Sequence, residues 1–75
     1  MVLTLNVIKT DDGFEAIVPS VRGCETWAAN EDDAIEKILD LLKYYIKLPE
    51  DKKLVIDKAA QKGNKGIYKI LFQKP

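Results

Sequence analysis

The side chains able to do covalent chemistry are few, and they cluster. One cysteine, Cys24, stands behind Gly23 and close to the one tryptophan, Trp27, in "VPSVRGCETWAANEDDAIEKI" (Val18 to Ile38). A cysteine nucleophile needs its thiol pKa lowered by an imidazolium, a neighbouring base or a helix N-terminus. The chain has no histidine, and the helix expected next opens with three carboxylates, which push a thiol pKa up. A lone cysteine on a short strand reads as a small core residue. Two acidic groups, Asp11, Asp12 and Glu15, then Glu31, Asp32 and Asp33, invite the idea of a divalent cation. Their spacing lacks the alternating oxygen ligands and distant bidentate Glu of a Ca²⁺ loop, and turn formation and helix capping account for both groups. No catalytic residue, metal site or cofactor is expected.

The neighbours of Cys24 carry a different kind of chemistry. If Cys24 and Thr26 face a covering helix, alternation along the strand sends Glu25 and Trp27 to the opposite face of the sheet. Ile8 and Ile17 share that face. Tryptophan and arginine are typical anchors of protein interfaces, so Arg22, Glu25, Trp27 and Ile17 form a candidate partner-binding group. Equally open is a sheet-edge Trp27 covered by the lysine-rich tail. Tyr68 and Phe72 among basic residues lack the signature of an RNA-recognition strand.

These residues need a scaffold, and the pattern supplies one. Val2 to Lys9 alternates, with Leu3, Leu5 and Val7 on one face and Thr4 and Asn6 on the other. Thr10 to Gly13 is a hairpin signal in which Asp-Gly supplies positive φ, and Phe14 to Val18 returns until Pro19 ends the ladder. A short third strand is expected at Cys24 to Trp27. Asn30 is a good N-cap, with Glu31, Asp32 and Asp33 in the first turn. Ile35, Ile38, Leu39, Leu42 and Ile46 form an apolar stripe. Ala34, Leu41 and Tyr45 widen it beyond the ~100° of a single packing face, which suggests a second contact surface such as an oligomer interface. Residues 49–62 read either as a helix begun at Pro49, favoured by Ala59-Ala60-Gln61, or as a turn and a strand at Leu54 to Ile56, favoured by Val55-Ile56; the balance leans to strand. After the Gly63–Gly66 turn, Ile67 to Phe72 is a strand. The expected class is α+β: a small antiparallel sheet, β-β-β-α-β, with one main helix on one face, in a single domain spanning residues 1–75.

Composition narrows the function. With 47% apolar and 32% charged residues in 75, the chain is globular but its core is thin. Formal charge is zero, yet unevenly spread. Residues 1–46 hold nine acids and four bases, giving −5, and residues 47–75 hold eight lysines and three acids, giving +5. An acidic front and a basic tail suit a basic protein partner, or pairing between copies of the chain. Direct DNA binding is not expected of scattered lysines with one arginine. A single cysteine forms no internal disulfide. No membrane span or cleavable signal is read at the start, so the cytoplasm is the expected location.

The run Asp12-Gly13-Phe14-x-Ala16-x-Val18-Pro19-x-Val21-x-Gly23-Cys24-x-Thr26, followed by a short loop and the acidic helix start at Asp33-Ala34, resembles the HicB-like antitoxin family over roughly residues 5–46. Ser20, Arg22, Ala28 and Asn30 depart from the residues usual there. The resemblance implies a three-stranded sheet, a helix and a further strand, similar to a degraded RNase H-like core. It also implies a non-enzymatic module that binds and neutralises a small basic HicA-like toxin that cuts mRNA. Family members often add a C-terminal DNA-binding domain. The chain ends at Pro75, so none is expected here. The alternative function is an orphan structural or regulatory domain acting through homo-oligomerisation.

Overall fold

The structure is a computed structural model that describes residues 2–48 and 54–72. Five strands form one antiparallel sheet in the order β3-β2-β1-β5-β4. The alternating β1 (Val2–Lys9) lies in its middle, paired to β2 (Phe14–Ile17) on one side and β5 (Lys65–Leu71) on the other. β3 (Glu25–Ala28) and β4 (Val55–Lys62) are the edges. One helix, α1 (Glu31–Tyr45), crosses between β3 and β4 in the chain and packs on β3, β2 and β1. The α+β class expected from the sequence is the one that forms, with a fifth strand added: the order is β-β-β-α-β-β.

The core lies between α1 and one face of the sheet. Leu5 and Val7 of β1, Ala16 and the following Val18, and Ile70 and Tyr68 of β5 point into it, as the period of two requires. From the helix come Ala34, Ile38 and Leu42, spaced at i, i+4 and i+8 along one line. The stripe is therefore centred on the line Ala34–Ile38–Leu42. Ile35, Leu39 and Ile46 flank it on one side and Leu41 on the other, all partly buried against the core. Ala34, assigned from the sequence to an outer contact surface, is fully buried (0% exposed). It lets the helix approach the sheet and offers nothing to a partner.

Both helix ends are capped by local chemistry. The Asn30 side chain accepts from the Asp33 backbone N–H at 2.9 Å and donates from Nδ2 to Asp33 Oδ2 at 3.0 Å. At the other end Lys47 takes a left-handed conformation (φ 57°). Leu48 N–H donates to Lys43 C=O at 2.9 Å and Lys47 N–H to Tyr44 C=O at 3.3 Å, the pair of bonds of a Schellman motif. Leu48 is buried, giving the motif its apolar contact.

β4 resolves the open reading of residues 49–62 where they are described. Ala59-Ala60-Gln61, which favoured a helix, lie in the strand; residues 49–53 lie outside the described residues. The ladder with β5 shifts between Lys58, opposite Tyr68, and Ala60, opposite Ile67, so Ala59 is an extra, bulged residue. The hairpin closes on a two-residue turn, Gly63-Asn64, with Lys62 opposite Lys65. Gly63 has φ 58° and Asn64 does not share that sign, the pattern of a II′ turn.

Candidate functional site

Among the described residues, one face of the sheet carries no helix. Pairing register defines its rows. Trp27 (β3), Glu15 (β2), Ile8 (β1), Lys65 (β5) and Lys62 (β4) form one row. Glu25, Ile17, Asn6, Ile67 and Ala60 form the next. Val2, Leu71 and Val55 lie exposed at the far end of the same face. Ile17 and Glu25 are direct cross-strand partners, and Glu15 pairs Trp27. Three of the four residues proposed from the sequence as a binding group therefore sit together on this face.

Trp27 is 45% exposed, and one side of its ring packs on backbone. A Cβ built on Gly13 would fall 2.5 Å from Trp27 Cζ2, 2.7 Å from Cε2 and 2.5 Å from the Ala28 carbonyl oxygen. The indole thus lies against the bare backbone of Gly13 in the β1–β2 connection. The Asp-Gly turn signal predicts positive φ at Gly13, but the glycines with positive φ are Gly23 and Gly63. What Gly13 supplies is the absence of a side chain under the ring. The connection itself is four residues long, closed by Thr10 N–H to Gly13 C=O at 2.8 Å and by Thr10 Oγ1 to Asp12 Oδ1 at 3.2 Å. Beside the ring, Glu15, Glu25, Thr26 and Trp27 line a shallow open hollow of about 250 Å³. It combines an aromatic wall with two carboxylates, which is chemistry for a cationic or amphipathic side chain.

Arg22 is not on this face. It is exposed in the β2–β3 turn, next to Gly23, whose position is bounded by the Tyr45 hydroxyl on the helix side. That turn is wound tightly: Val21 N–H donates to Val18 C=O, Cys24 N–H to Val21 C=O and Val18 N–H to Cys24 C=O, at 2.9–3.1 Å. Gly23, at φ 81°, makes the winding possible. Cys24 emerges from it 1% exposed, and burial pushes its thiol pKa up. A protonated, enclosed thiol has the opposite of nucleophile character.

On the helix, Leu41 is half-buried, Tyr45 is exposed and Tyr44 more so, their tyrosine rings meeting edge to face with centroids 5.7 Å apart. Of Ala34, Leu41 and Tyr45, only Tyr45 is well exposed. Among the described residues no group of three or more His, Cys, Asp or Glu side chains is placed to hold a metal ion, and no helix is long and apolar enough to cross a membrane.

Charge follows the fold. The acidic segments β2, β3 and α1 lie toward one edge of the sheet, and Lys58, Lys62, Lys65 and Lys69 lie on the β5–β4 ribbon at the other. Comparison with protein-family models, with curated proteins and with solved structures returns no match.

Proposed function

We propose that the chain is a non-enzymatic protein-binding module of the HicB antitoxin kind, whose uncovered sheet face docks a small basic, mRNA-cleaving HicA-like toxin in the cytoplasm and neutralises it. The observation that carries this reading is Trp27: an exposed aromatic, seated against Gly13, between Glu15 and Glu25 on a face that no helix of the described residues covers. A ring already packed on backbone has less conformational entropy left to lose on binding, which suits an anchor residue. The adjacent carboxylates select a cationic surface and repel an acidic one. The HicB-like segment supplies the hairpin that carries Gly13, the wound turn at Gly23-Cys24 and the helix start. These parts build the face rather than an active centre, and the buried thiol of Cys24 agrees with that division.

The test is titration with a purified HicA-type toxin, read by Trp27 emission and by RNA cleavage. Binding should shift the emission and suppress cleavage. Trp27→Ala should weaken it at least ~30-fold, the scale of a hot spot of about 2 kcal/mol, without altering the fold. Unchanged emission and uninhibited cleavage at micromolar concentrations would refute the reading.

A further inference from the structure

The uncovered face has a property that its register makes explicit: it is complementary to itself. Take β1 as the centre line. One strand away on either side, in the same row, stand Glu15 and Lys65; two strands away stand Trp27 and Lys62. In the next row Ile17 and Ile67 occupy mirror positions about Asn6. A two-fold axis parallel to β1 exchanges the two halves while keeping each row at its height. We infer that this face closes on a second copy of the chain, stacked sheet to sheet about that axis. Glu15 then faces the Lys65 of the second copy, Ile17 faces its Ile67 and Trp27 faces its Lys62, each contact made twice, as an isologous interface demands.

Size and edges agree. Strands of eight, four, four, eight and seven residues, at about 3.3 Å per residue and about 4.8 Å per strand, give a face of ~500 Å² in projection. Its side chains raise the accessible surface above that projection, toward the ~800 Å² per partner of a standard interface. Aligned sheets pack about 10 Å apart with a modest twist, so the rows stay in register near the axis. Edge-to-edge pairing is blocked instead: β3 has four residues, and β4 carries a bulge and the lysines Lys58 and Lys62. The Ala34–Leu41–Tyr45 side of the helix takes no part.

This surface is the proposed docking face, so the inference rests on that reading for one consequence only. The second copy's lysine half occupies the acidic half until a basic partner displaces it. Self-association itself is measured on the isolated chain, and its failure leaves toxin binding untouched.

Sedimentation equilibrium of the native chain should show dimer, weakening as salt rises from about 50 to 500 mM. Glu15→Lys alone and Lys65→Glu alone should each weaken the dimer at least ~10-fold, because like charges then meet twice. Mixing the two variants should restore association as a heterodimer, since each supplies the charge the other needs. A native chain that stays monomeric at several hundred micromolar overturns the inference. So does a dimer indifferent to both substitutions, or one that mixing fails to restore while circular dichroism shows both variants folded. If either variant does not fold, the salt series on the native chain decides: a salt-insensitive dimer overturns the inference.

Discussion

Gly13→Ala is the sharpest probe of how the binding face is built. The added methyl must find room 2.5 Å from the Ala28 carbonyl oxygen and 2.5 Å from the Trp27 ring. The carbonyl belongs to the β3 backbone and yields little, so the indole has to lift. Trp27 is 45% exposed; with about 250 Å² of side-chain surface, ~140 Å² is buried. Uncovering half of that costs about 2 kcal/mol at ~25 cal/mol per Å². Residual crowding against the carbonyl adds about 1–2 kcal/mol. A domain of this size has only about 5 kcal/mol in hand and loses roughly 4–8 °C of Tm per kcal/mol. Thermal unfolding should therefore start from a Tm lower by roughly 12–32 °C, with Trp27 emission shifted to the red in the native state. Gly63→Ala is the control. It has φ 58° in a II′ turn and open space around the new methyl, so it loses about 1–3 kcal/mol to backbone strain and leaves Trp27 emission unchanged. A Gly13→Ala protein that melts within about 3 °C of the native chain, with the same emission, would refute the claim that Gly13 seats the ring.

Two further predictions concern the frame. Lys47 occupies a left-handed position at the helix C-terminus, so Lys47→Gly should raise stability by about 0.5–1 kcal/mol, the strain relieved less the entropy glycine adds to the unfolded chain; a lower urea midpoint would contradict this. The Cys24 thiol pKa is raised by burial above its unfolded value. Its contribution is full below the unfolded thiol pKa of about 8.5 and declines as pH climbs past it, because only the unfolded chain ionises there. The urea midpoint should fall between about pH 8.5 and 9.5 in the native chain and not in Cys24→Ala; equal slopes would remove the effect. Tyr68, also raised by burial and then by Glu31, adds its own decline only above the ordinary tyrosine range near 10.

Most of the frame was legible because its signals are local. Alternation in Val2–Lys9, Asn30 with its acids, and Gly-Asn at 63–64 each specify backbone through nearest neighbours. β4 was ambiguous for a physical reason: its bulge at Ala59 breaks the period of two, and its edge position leaves most of it exposed, so no apolar alternation marks it. The helix stripe was read with its centre displaced, because Ala34 contributes little hydrophobicity yet lies on the line closest to the sheet. Glu25, Trp27 and Ile17 were placed together by alternation alone. Arg22 was not, since the wound turn at Val18–Cys24 carries it toward the helix end, a matter of turn geometry rather than period. The seat of Trp27 on Gly13 joins residues in different hairpins and has no signature in either segment. The mirror placement of Glu15 and Lys65 on either side of β1 likewise exists only once the strand order is known.

The central claim is that the uncovered sheet face is the working surface of this chain. Amide chemical-shift mapping tests it most directly, using the labelled chain at a concentration low enough to be monomeric and a HicA-type toxin as titrant. The account predicts shifts concentrated on Asn6–Ile8, Glu15–Ile17 and Glu25–Trp27, with α1 silent. Shifts confined to the outer face of α1, around Glu36, Asp40 and Tyr44, would contradict it.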